Sequence, residues 1–234
     1  MIGVLQIVQI ILLTLFVAVS TLAQADTFDV GGRTIAIPPP EGFVDGLKFE
    51  RYAAVIAAAE SASLYTLVSH VEIAIAKRIE KGGSKPLDLY TKVSIAKDSK
   101  QIDQTPEIFS ATVATLEKNF DTYIDPDGST IRSIVKEVDR GLTNEYGKQA
   151  NVSISQPRRL GFFEKNEQVF SAIMINQVKA FDRQKTMLVS ISLIRVGRRL
   201  LYAYVYKAYR SESDVQLVTE TTKKWTQAIV AANK

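Results

Sequence analysis

Three stretches in the last third of the chain, Gln168 to Val178, Thr186 to Val196 and Leu200 to Tyr209, change side-chain character at every second residue. That period is the mark of strands with two unlike faces, and the short joins Asp182-Arg183 and Gly197-Arg198 leave no room for a crossover. They predict an antiparallel meander. Pairing across Gly197-Arg198 sets Ile194 opposite Leu201, Ser192 opposite Ala203 and Ser190 opposite Val205 on one face. The other face pairs Leu193 with Tyr202, Ile191 with Tyr204 and Val189 with Tyr206. An apolar face of that kind is normally covered by a helix.

The other segments supply strands and helices to flank it. Phe28 to Ile37 reads as two short alternating strands around Gly31-Gly32, whose free φ permits a primed hairpin turn, with Phe28 facing Ile35 and both inward. Pro38, Pro39 and Pro40 lack ladder donors and end that strand. Leu47 to Glu60 predicts a helix. Leu64 to Ala76 alternates through Tyr65, Leu67, Val71, Ile73 and Ile75 and is read as a strand, although its length would also suit a helix. Gly82 to Pro86 is a loop, and Leu89 to Ile95 another strand. Thr105-Pro106-Glu107 starts a helix with a hydroxyl cap, proline at the first position and an early acid; Phe109, Val113, Leu116 and Phe120 form its stripe. After the turn Asp125 to Gly128, the spacing of Ile131, Ile134, Val135, Val138 and Leu142 predicts a second helix ending near Gly147, in a hairpin with the first. Ser213 to Gln216 is a capping-box pattern, followed by a terminal helix with Val215, Val218, Thr222, Trp225 and Ile229 inward.

The chain begins with 25 residues that carry no charge, Met1 to Ala25, and Ile10 to Val19 is apolar apart from Thr14. A small-residue step, Ala23-Gln24-Ala25, precedes Asp26. This predicts a secretory signal cleaved after Ala25 and an exported domain over 26–234; an uncleaved inner-membrane anchor is the alternative, because an uncharged run this long can span a bilayer. With no cysteine in 234 residues, the exported chain has neither disulfides nor a lipid-attachment thiol. A hydrophobic core must stabilise it, and a chain of this size can bury one.

An early hairpin closing on Ile35-Ala36-Ile37-Pro38 with Gly42-Phe43, long later strands such as Leu200 to Tyr209, and a last helix containing Trp225 together resemble the PsbP-like fold. That resemblance implies an α+β domain, an antiparallel sheet flanked by helices, with the N-terminal hairpin and the C-terminal meander as its parts. The fold occurs in photosystem extrinsic subunits and in many exported bacterial proteins. It carries no diagnostic motif, so no functional residue follows from it.

Chemical motifs are few. His70 is the lone histidine, and without Cys this excludes His-rich zinc sites and thiol nucleophiles. It could act as the base of a serine triad, but no Gly-x-Ser-x-Gly elbow is present, and a strand histidine on the wetter face is the plainer account. Ser94 to Lys97 and Ser133 to Lys136 match Ser-x-x-Lys, though on a strand and inside a helix, without the companion motifs. Asp125, Asp127 and Gly128 imitate the centre of a calcium loop whose frame fails at Tyr123 and Ile134, leaving a plain turn. Gly82-Gly83-Ser84-Lys85 lacks the first glycine of a phosphate loop. Tyr202, Tyr204 and Tyr206 could stack a ring-bearing ligand, and their apolar partners favour a core role instead. Asn151-Val152-Ser153 is a glycosylation sequon only in a eukaryotic secretory pathway.

Charge is the informative signal. Lys148 to Arg210 holds twelve basic residues against Glu164, Glu167 and Asp182, in a chain whose whole net charge is only +4. Strand geometry sorts these cations: Lys179, Arg183, Lys185, Lys207 and Arg210 fall at one end of the meander, and Lys165, Arg195, Arg198 and Arg199 at the other. The first cluster predicts contacts to an anionic partner, offset locally only by Asp182. The sequence therefore predicts an exported, periplasmic, non-enzymatic accessory or binding protein without cofactor. Its partner would be an envelope protein or an anionic lipid surface, not nucleic acid, with membrane attachment only if the first segment stays uncleaved. The alternative is an envelope hydrolase with an unconventional serine or carboxylate site.

Overall fold

Gly31 and Gly32 have φ of 57° and 77°, and Val30 and Arg33 exchange backbone hydrogen bonds across them. This is the primed turn that two glycines allow. A Cβ on Gly31 would lie 2.3 Å from the Lys100 carbonyl oxygen, so the turn also needs the missing side chain. The computed structural model to which these values belong describes residues 25–81 and 87–234. The signal or anchor segment, but for Ala25, and the loop Gly82 to Pro86 lie outside the described residues.

The turn joins β1 (Asp26–Asp29) to β2 (Thr34–Ile37), with Phe28 opposite Ile35 as the alternation predicts. There follow β3 (Phe43–Asp45), α1 (Glu50–Ala58), β4 (Leu64–Glu72), α2 (Ile73–Glu80), β5 (Leu89–Ala96), α3 (Pro106–Tyr123) and α4 (Ser129–Tyr146). The chain then forms β6 (Ser153–Ile154), β7 (Arg158–Lys165), β8 (Val169–Ala180), β9 (Arg183–Val196), β10 (Arg199–Ala208) and α5 (Glu212–Ala231). An eight-stranded antiparallel sheet runs in the order β3-β4-β5-β10-β9-β8-β6, with β7 also paired to β8. The architecture is α+β, an antiparallel sheet flanked by helices.

The meander has the predicted register throughout β9 and β10, including Ile194 opposite Leu201 and Tyr206 opposite Val189. Its first turn is shifted by one residue. Ala180 pairs with Arg183, so Phe181 and Asp182 form the turn and Arg183 already belongs to β9. On one sheet face Val218, Trp225 and Ile229 of α5, with Ile35 and Ile37 of the hairpin, pack on Val93, Ile173, Leu188, Leu201 and Val205. Trp225 is 2% exposed and donates its indole N–H to the Pro38 carbonyl at 2.8 Å, so this one side chain ties α5 to the hairpin. On the other face Phe109 and Val113 of α3 cover Phe170 and Leu193, and Phe120 covers Met174 and Val189.

Three expectations need correction. The stretch Leu64 to Ala76 is a strand only to Glu72; α2 begins at Ile73, because the sheet ends there and Ile73 is left 41% exposed. α4 does not fold back on α3. It packs against α1, where Gly141 lets the Ala58 carbonyl approach so closely that a Cβ would lie 2.0 Å from it, and none of its stripe residues is fully buried. His70 is fully buried beneath α5 instead of lying on a wet face.

Candidate functional site

The antiparallel frame brings the ends of β8, β9 and β10 to one rim, and the predicted cations divide there by which sheet face they point to. Lys179, Arg183 and Arg210 are exposed, and Lys185 is half-buried. Lys207 is not part of the surface. Its side chain follows Val205 and Ala203 toward the α5 face, and it is 5% exposed. There its Nζ donates to Asp88 Oδ2 at 3.0 Å and to the Ala208 carbonyl at 3.2 Å, and lies 3.3 Å from Asp214 Oδ1. The capping box opens two residues earlier than predicted, with Ser211 as the cap in place of Ser213 and Asp214 as its acid in place of Gln216: Asp214 Oδ2 accepts from the backbone of Arg210 at 2.7 Å and of Ser211 at 3.0 Å. Burial alone would raise its carboxyl, and these hydrogen bonds with Lys207 outweigh it and hold it below the usual range. Lys207 is a strut between β10, the approach to β5 and the start of α5.

Asp88 organises what remains. Arg210 Nη2 lies 3.0 Å from its Oδ1. The Lys185 amine is pushed down by burial; Asp88 opposes that, and Arg183 and Arg210 add to it, which places all three cations within mutual influence. Lys179 sits on the far strand, opposite Gln184 in β9 and Ser153 in β6. Asp182 pairs with Lys148 at 3.4 Å. The rim therefore has two acids the sequence reading did not place there, Asp88 and Asp214. Among the described residues Lys179, Arg183 and Lys185 form no ion pair.

The opposite end is a clip rather than a surface. Buried Arg199 donates from Nε to the Val30 carbonyl at 2.9 Å and from Nη2 to the Gly31 carbonyl at 2.6 Å, and its Nη1 pairs with Asp103. Arg198 joins the same carboxylate at 2.7 Å, and hydrogen bonding from Arg199 holds the Asp103 carboxyl below its ordinary value. Arg195 donates to the Glu167 carbonyl at 3.3 Å, and Lys165 pairs with Glu117 at 2.7 Å.

Tyr202, Tyr204 and Tyr206 are half-buried under α3, among Leu116, Phe120 and Ile191. Tyr90 of β5 stacks on Tyr206 at 4.6 Å and 9°, and Lys92 lies 5.4 Å from the Tyr204 ring centre. Burial raises all four phenols and lowers the Lys92 amine. The ladder is packed as core, as its apolar partners predict.

Groups that could do chemistry are held in structural bonds. His70 Nδ1 lies 3.2 Å from the Thr91 hydroxyl, its ring is edge-on to Trp225, and among the described residues Nε2 has no partner. Desolvation, with Lys48 adding to it, lowers the imidazole to about 4. Ser94 is buried at 3.4 Å from Thr66, and Ser133 donates to Glu137 on the exposed side of α4. Asp125 Oδ1 accepts from the Asp127 backbone at 3.0 Å, a plain turn. Glu164 accepts from Ser171 at 3.2 Å and Thr226 at 3.1 Å beside a cleft of about 400 Å³; burial raises its carboxyl against those bonds. Among the described residues no three His, Asp or Glu side chains are grouped to hold a metal, and no helix is long and apolar enough to cross a membrane.

No family model matches the chain, and no curated protein matches its sequence. Solved structures similar to it include the Saccharomyces cerevisiae Ran-binding protein Mog1p, at 12% identity and TM-score 0.37, covering 90% of this chain and 94% of that one. A Mog1 variant gives 12% and 0.36 over 89% and 94%. The solution structure of cyanobacterial PsbP from Synechocystis gives 10% and 0.30 over 92% and 94%. The last is of the kind the sequence resembles. These values describe a weak likeness of topology, and no residue's role passes from those proteins to this one.

Proposed function

We propose that this is an exported, non-enzymatic accessory or binding protein of the cell envelope, periplasmic once released, that engages an anionic partner through the basic rim of its sheet. The contact residues are Lys179, Arg183, Lys185 and Arg210, with Lys207 as the buried strut beneath them. The observation that carries this reading is the excess of cations over carboxylates around Asp88: that carboxylate is already engaged by Lys207 and Arg210, and the neighbouring Arg183 and Lys185 have no ion pair among the described residues. Export rests on the uncharged leader with its small-residue step.

The test uses two anionic probes, polyglutamate and phosphatidylglycerol vesicles, across a salt series. Exposed charges are screened beyond about 8 Å at physiological ionic strength, so binding to at least one probe is expected to weaken steeply with salt. Lys179→Glu combined with Arg183→Glu should lower that binding at least about tenfold while the melting temperature stays within about 2 °C, since both side chains are exposed. A double variant that binds like the parent overturns the reading. The hydrolase alternative has one observation in its favour, the Glu164 carboxyl with its two hydroxyl donors at the edge of a cleft. Turnover on an ester, peptide or glycoside panel, abolished in Glu164→Gln, would establish it instead.

A further inference from the structure

Phe181 occupies the tip of the β8–β9 turn with φ of 54°, a left-handed conformation that glycine, asparagine or aspartate adopts at less cost. An aromatic residue there strains the backbone without serving the core. Its ring is instead set edge-on against Tyr146, at 5.3 Å between centroids and 78° between planes, and Tyr146, the last residue of α4, is 53% exposed. The pair is fixed in place. The Phe181 backbone N–H donates to the Ala150 carbonyl, Ala150 is fully buried, and its own N–H donates to Thr143 of α4 at 3.0 Å. Gly147, at φ of 60°, ends the helix so that the chain turns directly under the tip. Lys179 and Arg183 stand two residues to either side of Phe181 and Lys148 two residues beyond Tyr146, all exposed, with Glu145 beside Tyr146 and Asp182 paired to Lys148.

We propose that this tip is a peripheral docking site for an anionic lipid bilayer, with Phe181 and Tyr146 entering the headgroup layer and Lys148, Lys179 and Arg183 meeting lipid phosphates. The proposal rests on the binding role assigned to the basic rim and names its partner. Two arguments favour lipid over an acidic protein. Aromatic rings gain most at the boundary between headgroups and acyl chains, where flanking lysines can lay their stems on apolar surface and keep the ammonium wet. A two-residue turn is convex and offers a polypeptide no groove, whereas a deformable bilayer needs none. The charge is still in favour of an anionic surface: the three exposed cations Lys148, Lys179 and Arg183 stand against two carboxylates, Glu145 and Asp182, the latter paired to Lys148.

Sedimentation with vesicles tests it, comparing phosphatidylcholine alone with mixtures holding about 30% phosphatidylglycerol, and polyglutamate as the protein-like anion. The exported protein should bind the mixed vesicles and not the neutral ones. Phe181→Ala and Tyr146→Ala should each lose about fivefold or more on mixed vesicles with no change on polyglutamate. Phe181→Trp, which keeps a ring at the tip, should show emission beyond that of Trp225 that brominated lipid quenches. Unchanged vesicle binding by both alanine variants, or no quenching of the introduced tryptophan, overturns the lipid assignment; persisting polyglutamate binding would then leave the basic-rim reading standing. Loss of binding to both probes by Lys179→Glu/Arg183→Glu, with the alanine variants behaving as parent, assigns the rim to an acidic protein and overturns the bilayer site.

Discussion

His70 has one ring nitrogen on Thr91, the other unpaired among the described residues, and Trp225 against its edge, so adding a proton there means charging a group that water cannot reach. Its folded value of about 4 lies below the ordinary 6.5, and the unfolded chain therefore takes up the proton first as pH falls. Stability from the neutral ring is complete above about pH 6.5 and is lost between there and about pH 4, at about 1.4 kcal/mol per pH unit inside that window. Urea midpoints measured from neutral pH downward should fall more steeply for the parent than for His70→Leu. Parallel slopes would mean that the imidazole is solvated. At the same scale Lys207 and Arg183 illustrate how far the candidate site was legible. Antiparallel geometry correctly put both at one rim, but which of them is free depends on Asp88 and Asp214, residues brought in by long-range pairing that no local pattern announces. Sequence position counted Lys207 as surface; the alternation of β10, read one step further, puts it on the face of Ala203 and Val205.

Elements joined at the glycine-bearing turns Gly31-Gly32 and Gly197-Arg198 were legible to the residue, because such a turn fixes register and the alternation fixes the face, whereas the Phe181-Asp182 turn, which no glycine marks, was misplaced by one. Others were not. β7 pairs with β8 through two irregularities, between Arg159 and Gly161 and between Phe162 and Glu164, and each bulge breaks the period that would have revealed it. The stripe of α4 correctly announced an amphipathic helix, but periodicity names the face and not what covers it; the cover is α1, admitted by Gly141. That contact has a measurable consequence. In a solvated helix Gly→Ala would stabilise by about 1 kcal/mol through propensity alone. At Gly141 the new Cβ would meet the Ala58 carbonyl oxygen at 2.0 Å, against backbone that has little room to give, so overpacking at about 1–3 kcal/mol should win. Gly141→Ala is expected to lower the denaturation midpoint, whereas the exposed neighbour Asn144→Ala should not; a rise in Gly141→Ala would show that α1 and α4 are not in contact.

At the scale of the whole molecule the chain closes on itself at its first strand. Ile35 and Ile37 enter the same core as Trp225 and Ile229, Arg199 grips the Val30 and Gly31 carbonyls, and Asn233 bonds both backbone groups of Ala36 at 2.8 and 2.7 Å. Neither end of the domain can therefore be shortened freely, and this bounds where a leader can be removed. Asp26 is the first residue of β1 and pairs with Ile37, while Phe28 packs on the core and Val30 is buried. Cleavage after Ala25 leaves every one of these contacts intact, and cleavage only a few residues later would strip the hairpin of a strand. On the proposed export, the mature chain is expected to begin at Asp26, which its intact mass decides; a mass that retains Met1 to Ala25 in the membrane fraction would identify an anchor instead. A chain starting at Gly31 tests the physical half of the argument, since it loses Phe28 and Val30 and leaves Ile35 with one face open. Burying side chains of that size contributes about 1.5–3 kcal/mol each, so the truncated chain should unfold at clearly lower urea than one starting at Asp26. Equal midpoints would mean that the hairpin is an appendage and that the core closes without it.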